Sequence, residues 1–204
     1  FFLFSLMHFV HLGIHTEFSI TESIVRIPDL VKAAKAEGMR ALAITELSNL
    51  HAAVKFYGKC LDNGIKPIMG SEVRLNDAEH RVTLLAMSNV GWRNLTELVS
   101  EGFIRGQQLD IPCVAKDWIL EQNHDLIALL GMRSDVGKML CTSNPQKAEP
   151  LLEEWIAKFG NRVYLALCRT ERSGEDDFNY EALKLAKKYN IGVVAHNDVH
   201  FMKE

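Results

Sequence analysis

Residue types that could hold a metal ion gather near both ends of this sequence. "HLGIHTEFS" (11–19) sets His11, Gly13 and His15 at alternate positions, so in a strand they share one face. "VVAHNDVH" (193–200) closes the chain with Asn197, Asp198 and His200. Between them, Thr45, Glu46 and Leu47 follow the apolar run "ALAIT", Glu72 lies in "KPIMGSEVRL", and Gly131 and Met132 follow "DLIALL". Brought to one rim, His15 and His200 with Glu46, Glu72 and Asp198 make a donor set for Zn²⁺ or Mn²⁺. Such centres hydrolyse phosphoesters with a metal-bound hydroxide. A plainer reading stands beside it, in which Glu46 and Asp198 cap helices or turns and the two histidines are hydrogen-bonded rim residues.

The elements that must position these residues are short. Strand-like runs occupy 9–14, 41–45, 66–75, 81–87, 125–130, 162–168 and 191–196. Helical patterns separate most of them. "IPDLVKAAKAEGM" has Pro28 near its start and Gly38 at its stop, and "SNLHAAVKFYGKCLDNG" has Ser48 as a candidate N-cap and Gly64 as the breaker. Further helices are expected in "GWRNLTELVSEGF", "AKDWILEQN", "EPLLEEWIAKFG" and "FNYEALKLAKKYNIG". Alternation of this kind implies an α/β fold with a mainly parallel sheet, open or closed into a barrel. The third and fourth strands are the exception, because "NDAEH" is too short for a crossover and reads as a hairpin loop. In such folds functional groups collect past the C-terminal ends of strands, where the residues named above fall.

Composition narrows the class further. With 204 residues, 48% hydrophobic and 24% charged, the chain suits one sizeable core and reads as a single domain. A net charge of -3 gives no global pull toward nucleic acid or an anionic membrane. "VKAAKAEGMR" and "LKLAKKYN" read as solvated helix faces, and Trp92, Trp118 and Trp155 as packing residues. Cys60, Cys113, Cys141 and Cys168 are scattered with no CxxC pair, which suits reduced thiols and a cytoplasmic protein. The opening "FFLFSLM" has no basic flank and is too short to span a bilayer. Residues 1–8 are therefore expected to be an extension outside the fold, with Met7 as the natural start. Residues 9–204 form the domain, and the stop at "VHFMKE" is expected to mark a fragment of a longer chain.

"FVHLGIHTEFS", "LAITELSNLHAAVKFY", "GIKPIMGSEV", "VTLLAMSNVGWRNLTELVS" and "VVAHNDVHF" together resemble the polymerase-and-histidinol-phosphatase (PHP) domain found at the N-terminus of bacterial DNA polymerase III alpha subunits. The blocks come in the family's order and run from Phe9 to Phe201. The resemblance implies a distorted seven-stranded β/α barrel, in agreement with the strand count. Metal-binding members carry histidine at the positions of Gly13 and His15, Asp-His where this chain has Glu46 and Leu47, and a histidine opening the fourth strand where Arg81 stands beside His80. Their cysteine after the fifth strand falls at Gly131 or Met132. His15, Glu72, Asp198 and His200 keep the family's ligands and Glu46 keeps a carboxylate, whereas Gly13, Leu47 and Arg81 do not serve.

A guanidinium cannot deprotonate to become a ligand, and too few donors remain for a cluster. The site is thus expected to be vestigial, with no catalytic residue and no metal cofactor, and Arg81 is expected to supply the missing charge. The resemblance implies a DNA-replication role within a nucleotidyltransferase, with the domain acting as scaffold. Its partners would be the polymerase core in cis and a proofreading exonuclease with the holoenzyme in trans. DNA would be met through the full-length subunit, with no membrane role. The rival readings are an active metal-dependent phosphoesterase or 3′-5′ exonuclease using Zn or Mn, and a histidinol-phosphatase-like enzyme. "GWRNLTELVS" and "NDVHF" favour the polymerase branch.

Overall fold

The computed structural model describes residues 9–76, 79–142 and 144–202. The expected extension at 1–8, the centre of the "NDAEH" loop and the last two residues lie outside them. Ten strands occur in the described residues: β1 (Gly13–Ile14), β2 (Ala41–Leu47), β3 (Lys66–Arg74), β4 (Arg81–Ala86), β5 (Gln107–Gln108), β6 (Ile111–Pro112), β7 (Leu126–Leu130), β8 (Val163–Leu167), β9 (Gly192–Ala195) and β10 (Asp198–Val199). The main sheet has the order β2-β3-β4-β7-β8-β9 and curls into a half-barrel. Across its seam β1 pairs in parallel with β10, Gly13 opposite Asp198. The amide of Ala43 donates to the His11 carbonyl at 3.0 Å, so the first segment also lies against β2. The α/β fold with a distorted barrel of seven principal strands is therefore present, although only the last two residues of the expected first strand form a ladder.

One strand runs against the rest. β3 and β4 form the expected hairpin, and β4 therefore meets β7 antiparallel as well. The remaining ladders of the main sheet are parallel. Arg81 consequently reaches the rim from the start of its strand, whereas Glu72 reaches it near the end of β3.

Helices α1 (Ile27–Ala36), α2 (Ala53–Asp62), α3 (Asn89–Ile104), α4 (Lys116–Glu121), α5 (Asp135–Leu140), α6 (Ala148–Phe159) and α7 (Glu175–Tyr189) cover the outer face. Pro28 sits in the first turn of α1, where its missing N–H costs nothing, and Gly38 follows the helix at φ 72°. Ser48 is not the N-cap of α2: it lies at φ 51°, its hydroxyl accepts from the Arg74 amide, and the helix begins after Ala52 without a side-chain cap. The run "RSDVGKML" adds α5, capped by the Ser134 hydroxyl at the Gly137 amide, which the periodicity did not single out. α1 and α2 bury Leu30, Val31 and Phe56 against Leu42 and Ile44 of β2, while Trp155 and Phe159 of α6 join the larger outer core. Trp92 and Trp118 pack against that same core, as expected of packing residues. Among the described residues no helix is long and apolar enough to cross a membrane.

Candidate metal centre

Strand alternation decides which side chains reach the barrel lumen. Ala43, Leu85, Leu129 and Ala166 fill the lumen with Ile68, Ile127, Tyr164 and Val194. Stepping by two from these positions leads to Glu72 on β3, Arg81 on β4, Gly131 after β7, Cys168 after β8, and His196 and Asp198 at the end of the chain. These residues ring a small cavity of about 70 Å³, together with Met132, Arg133 and Arg172 from the following loops.

Arginine and carboxylate alternate around it. Arg81 grips Glu22 with both prongs, Nη1 to Oε2 at 3.0 Å and Nη2 to Oε1 at 2.9 Å, and reaches Glu72 Oε2 at 3.3 Å. Arg133 Nη2 donates to Glu72 Oε1 and to Asp198 Oδ1, each at 2.9 Å. Arg172 Nη1 takes the other oxygen of Asp198 at 3.0 Å. His15 Nε2 lies 3.4 Å from Glu72 Oε2 and 3.7 Å from Asp198 Oδ1, and its ring stacks on His200 with centroids 4.6 Å apart. The His200 ring faces Asp198 Oδ1 through Nε2 and the Glu22 carbonyl through Nδ1, both at 2.9 Å. An imidazole between two acceptors is favoured as the cation, a form with no lone pair for a metal.

The charges follow from these contacts. The hydrogen bond to Asp198 raises the pKa of His200 against the opposing effect of burial. Burial alone would push Asp198 up, but the His200 hydrogen bond and the Arg133 and Arg172 charges hold it far below the usual carboxylate range. Glu22 behaves likewise, its burial outweighed by Arg81, His15 and Arg74. Burial lowers His15 and His196, which favours their neutral forms despite Glu72 and Asp198 nearby.

His15, Glu72, Asp198, His200 and Arg81 thus converge as expected. Glu46 does not. It shares the outer face of β2 with Leu42 and Ile44, and its buried carboxylate accepts from the Thr16 amide at 3.1 and 3.2 Å and from the Thr16 and Ser19 hydroxyls. Leu47, the next residue, donates its amide to Ser19 Oγ. Arg81 does bring its charge to the Glu72 carboxylate, but its bidentate partner is Glu22, a residue that no motif in the sequence points to. Arg133, Arg172, Cys168 and His196 were passed over too. Gly13 is tightly constrained: a Cβ there would come within 2.1 Å of His196 Nε2. That nitrogen has no hydrogen-bond partner. Among the described residues, one three-residue group, His15, Glu22 and His200, places a donor atom from each within 4.8 Å of the others.

A family profile described as "PHP domain" matches residues 11–170. Over 202 residues the chain is 41% identical to a DNA polymerase III subunit alpha of Pseudomonas fluorescens, covering 96% of this chain and 17% of the relative. It is 39% identical over 200 residues to the subunit of the same name from Escherichia coli K12, again covering 17% of that relative. Among solved structures, a two-domain Bacteroides vulgatus protein containing a predicted PHP-like metal-dependent phosphoesterase superposes with a TM-score of 0.61 at 13% identity, over 94% of this chain and 51% of that one. A Chromobacterium violaceum amidohydrolase gives 0.60 at 12% identity, over 94% and 87%.

Proposed function

The chain belongs to the PHP domain family, and from that membership we propose that it serves as the N-terminal PHP domain of a replicative DNA polymerase alpha subunit, as a scaffold without hydrolytic chemistry of its own. The likeness to alpha subunits over nearly the whole chain supports the replication role. One observation carries the non-catalytic reading: the carboxylates of Glu72 and Asp198, kept at ligand positions, have all four oxygens engaged by Arg81, Arg133, Arg172 and the neighbouring histidines. A divalent cation would have to displace fixed positive charge to reach them, so the residues do not fit a catalytic metal cluster.

In this reading the domain works in the cytoplasm, braces the polymerase core in cis and offers a docking surface to a proofreading exonuclease within the holoenzyme. DNA is met only through the larger subunit. The polymerising carboxylates lie elsewhere in such a subunit, so this chain alone extends no primer. A second reading starts from the His15, Glu22 and His200 cluster, which could seat one Zn²⁺ or Mn²⁺ in a phosphoesterase once His200 gives up a ring proton and Glu22 turns from Arg81. Elemental analysis of protein purified without chelator separates the two. The scaffold reading expects clearly less than one equivalent of metal and no phosphatase or exonuclease turnover above background. Stoichiometric metal, with turnover abolished by His200→Ala, would establish the enzyme instead.

A further inference from the structure

We infer that the open groove between α2 and α3 is a docking site for an amphipathic helix of another protein, which lays an apolar stripe along the groove and sets a carboxylate on Lys66. The inference rests on the scaffold reading and gives that scaffold a contact surface away from the ion-pair ring.

The groove follows from the one reversed strand. A parallel crossover brings a helix with it, whereas the β3–β4 hairpin brings none, so the outer face of this strand pair depends on α2 and α3 for its cover. Between them these helices leave a groove of about 720 Å³, against about 70 Å³ for the rim cavity. Pro67 and Met69 of β3, Ala86 of β4, Val54 and Tyr57 of α2 and Trp92 of α3 line it. Val54, Tyr57 and Leu61 stand at i, i+3 and i+7 on α2, so they form one stripe, and they are 87%, 49% and 55% exposed. A stripe beside a groove is a contiguous apolar surface, which marks an interaction site where scattered exposed residues would not.

The surroundings select the occupant. In the outer layer α1 packs on α2 and α5 on α6, and a helix laid between α2 and α3 would continue that layer over the sheet. A ligand pocket encloses most of a small molecule, and a groove whose wall residue Val54 stands almost wholly in solvent does not. An amphipathic helix, by contrast, needs only its apolar face covered. Among the described residues that line the groove, Lys66 alone is charged, and it is exposed with no ion-pair partner among the described residues. A single unpaired cation beside an apolar channel fits a helix that carries a carboxylate, and disfavours one that carries a basic residue there.

Fluorescence anisotropy of two labelled synthetic helices tests this on the whole chain. One carries leucine at i, i+3, i+4 and i+7 with aspartate in its first turn, and its twin has lysine in place of the aspartate. The wild type should bind the acidic helix saturably and at least about tenfold tighter than the twin. Lys66→Glu should reverse that order, and Val54→Asp should weaken both peptides by about tenfold or more. Both changes fall on exposed side chains, and Met87→Asp, on the same groove, takes the place of Val54→Asp if circular dichroism shows that variant unfolded. The inference is overturned if neither helix binds, if the lysine twin binds the wild type as well as the acidic one, or if binding survives an aspartate in the groove. Sedimentation showing wild-type dimers that part on Val54→Asp would overturn it too, by giving the groove to a second copy of this chain. Metal content and phosphatase turnover, which decide the scaffold reading, are measured without either helix, so each reading can fail alone.

Discussion

Glu22 and Arg81, 59 residues apart, form the one two-pronged ion pair of the described rim, with both contacts between 2.9 and 3.0 Å. The pair ties the loop after β1 to the start of β4, so it spans the barrel mouth rather than a single hairpin. Bidentate geometry makes it more than a point-charge contact.

Arg81→Ala should cost about 1 to 3 kcal/mol at pH 8, between the values for a buried and an exposed pair. Arg81→Lys should recover part of this, because it keeps the charge and loses the fork. In the wild type the depressed Glu22 carboxyl contributes stability above its ordinary pKa and loses it only as pH falls through its lowered folded value. In the variant, burial acts on Glu22 without Arg81, and the carboxyl takes up a proton sooner. The deficit at pH 5 should therefore be smaller than at pH 8 in urea titrations, and equal stability of both proteins at both values would mean that the pair carries nothing.

Gly13 should tolerate no side chain while His196 is present. A Cβ 2.1 Å from the imidazole nitrogen forces the ring away, so Gly13→Ala should destabilise by about 1 to 3 kcal/mol. Gly13→His, the change that would restore a family ligand, should fold poorly alone and better with His196→Ala. A double-mutant cycle in chemical denaturation reads the coupling, and additive effects would show that the two positions do not compete for the same volume.

Glu46→Ala should cost about 2 to 3 kcal/mol. It strands the buried Thr16 amide and the Thr16 and Ser19 hydroxyls without their acceptor. Removing Glu46 should nonetheless leave Arg81 and Arg133 paired, which NMR of their guanidinium resonances would register as unchanged shifts.

The histidines should titrate in opposite directions. His200, raised by its bond to Asp198, contributes stability that is complete below the ordinary histidine pKa and is lost as pH rises through its higher folded value. His15 and His196, lowered by burial, remain neutral below the ordinary value, and their protonation in the unfolded chain reduces stability on the acid side. Proton NMR of the imidazoles should place His200 above 6.5 and His196 below it. A shared midpoint for the two would refute the contact pattern.

The fold was readable because each main strand is a short apolar run and most are followed by a helical pattern. His15, Glu72, Asp198 and His200 were readable because strand ends of such folds share one rim. Glu46 misled for a physical reason: β2 is buried on both faces, so its composition does not say which alternate set faces the lumen. Glu22, Arg133 and Arg172 sit outside the strands, where no periodicity points to them. Arg133 did leave one trace, following directly on Gly131 and Met132, already placed at the rim. His196 was hidden differently, since only the backbone approach of Gly13 reveals that its ring fills the space of a missing side chain.

The reversal of β4 has a bearing on how the chain tolerates growth. Because β3 climbs to the rim and β4 descends from it, Arg74 near the end of one stands opposite Arg81 at the start of the other, and both reach the Glu22 carboxylate. Lengthening the connection between the two strands would add only slowly growing closure entropy, and growth beside Asn76 would meet the start of α4, whose Lys116 amide donates to the Asn76 side chain at 2.9 Å. A reporter peptide or a tether grafted there would thus leave the chain within a few residues of Arg74 and Arg81, whereas the same graft between α2 and β3 would emerge at the opposite end of the barrel.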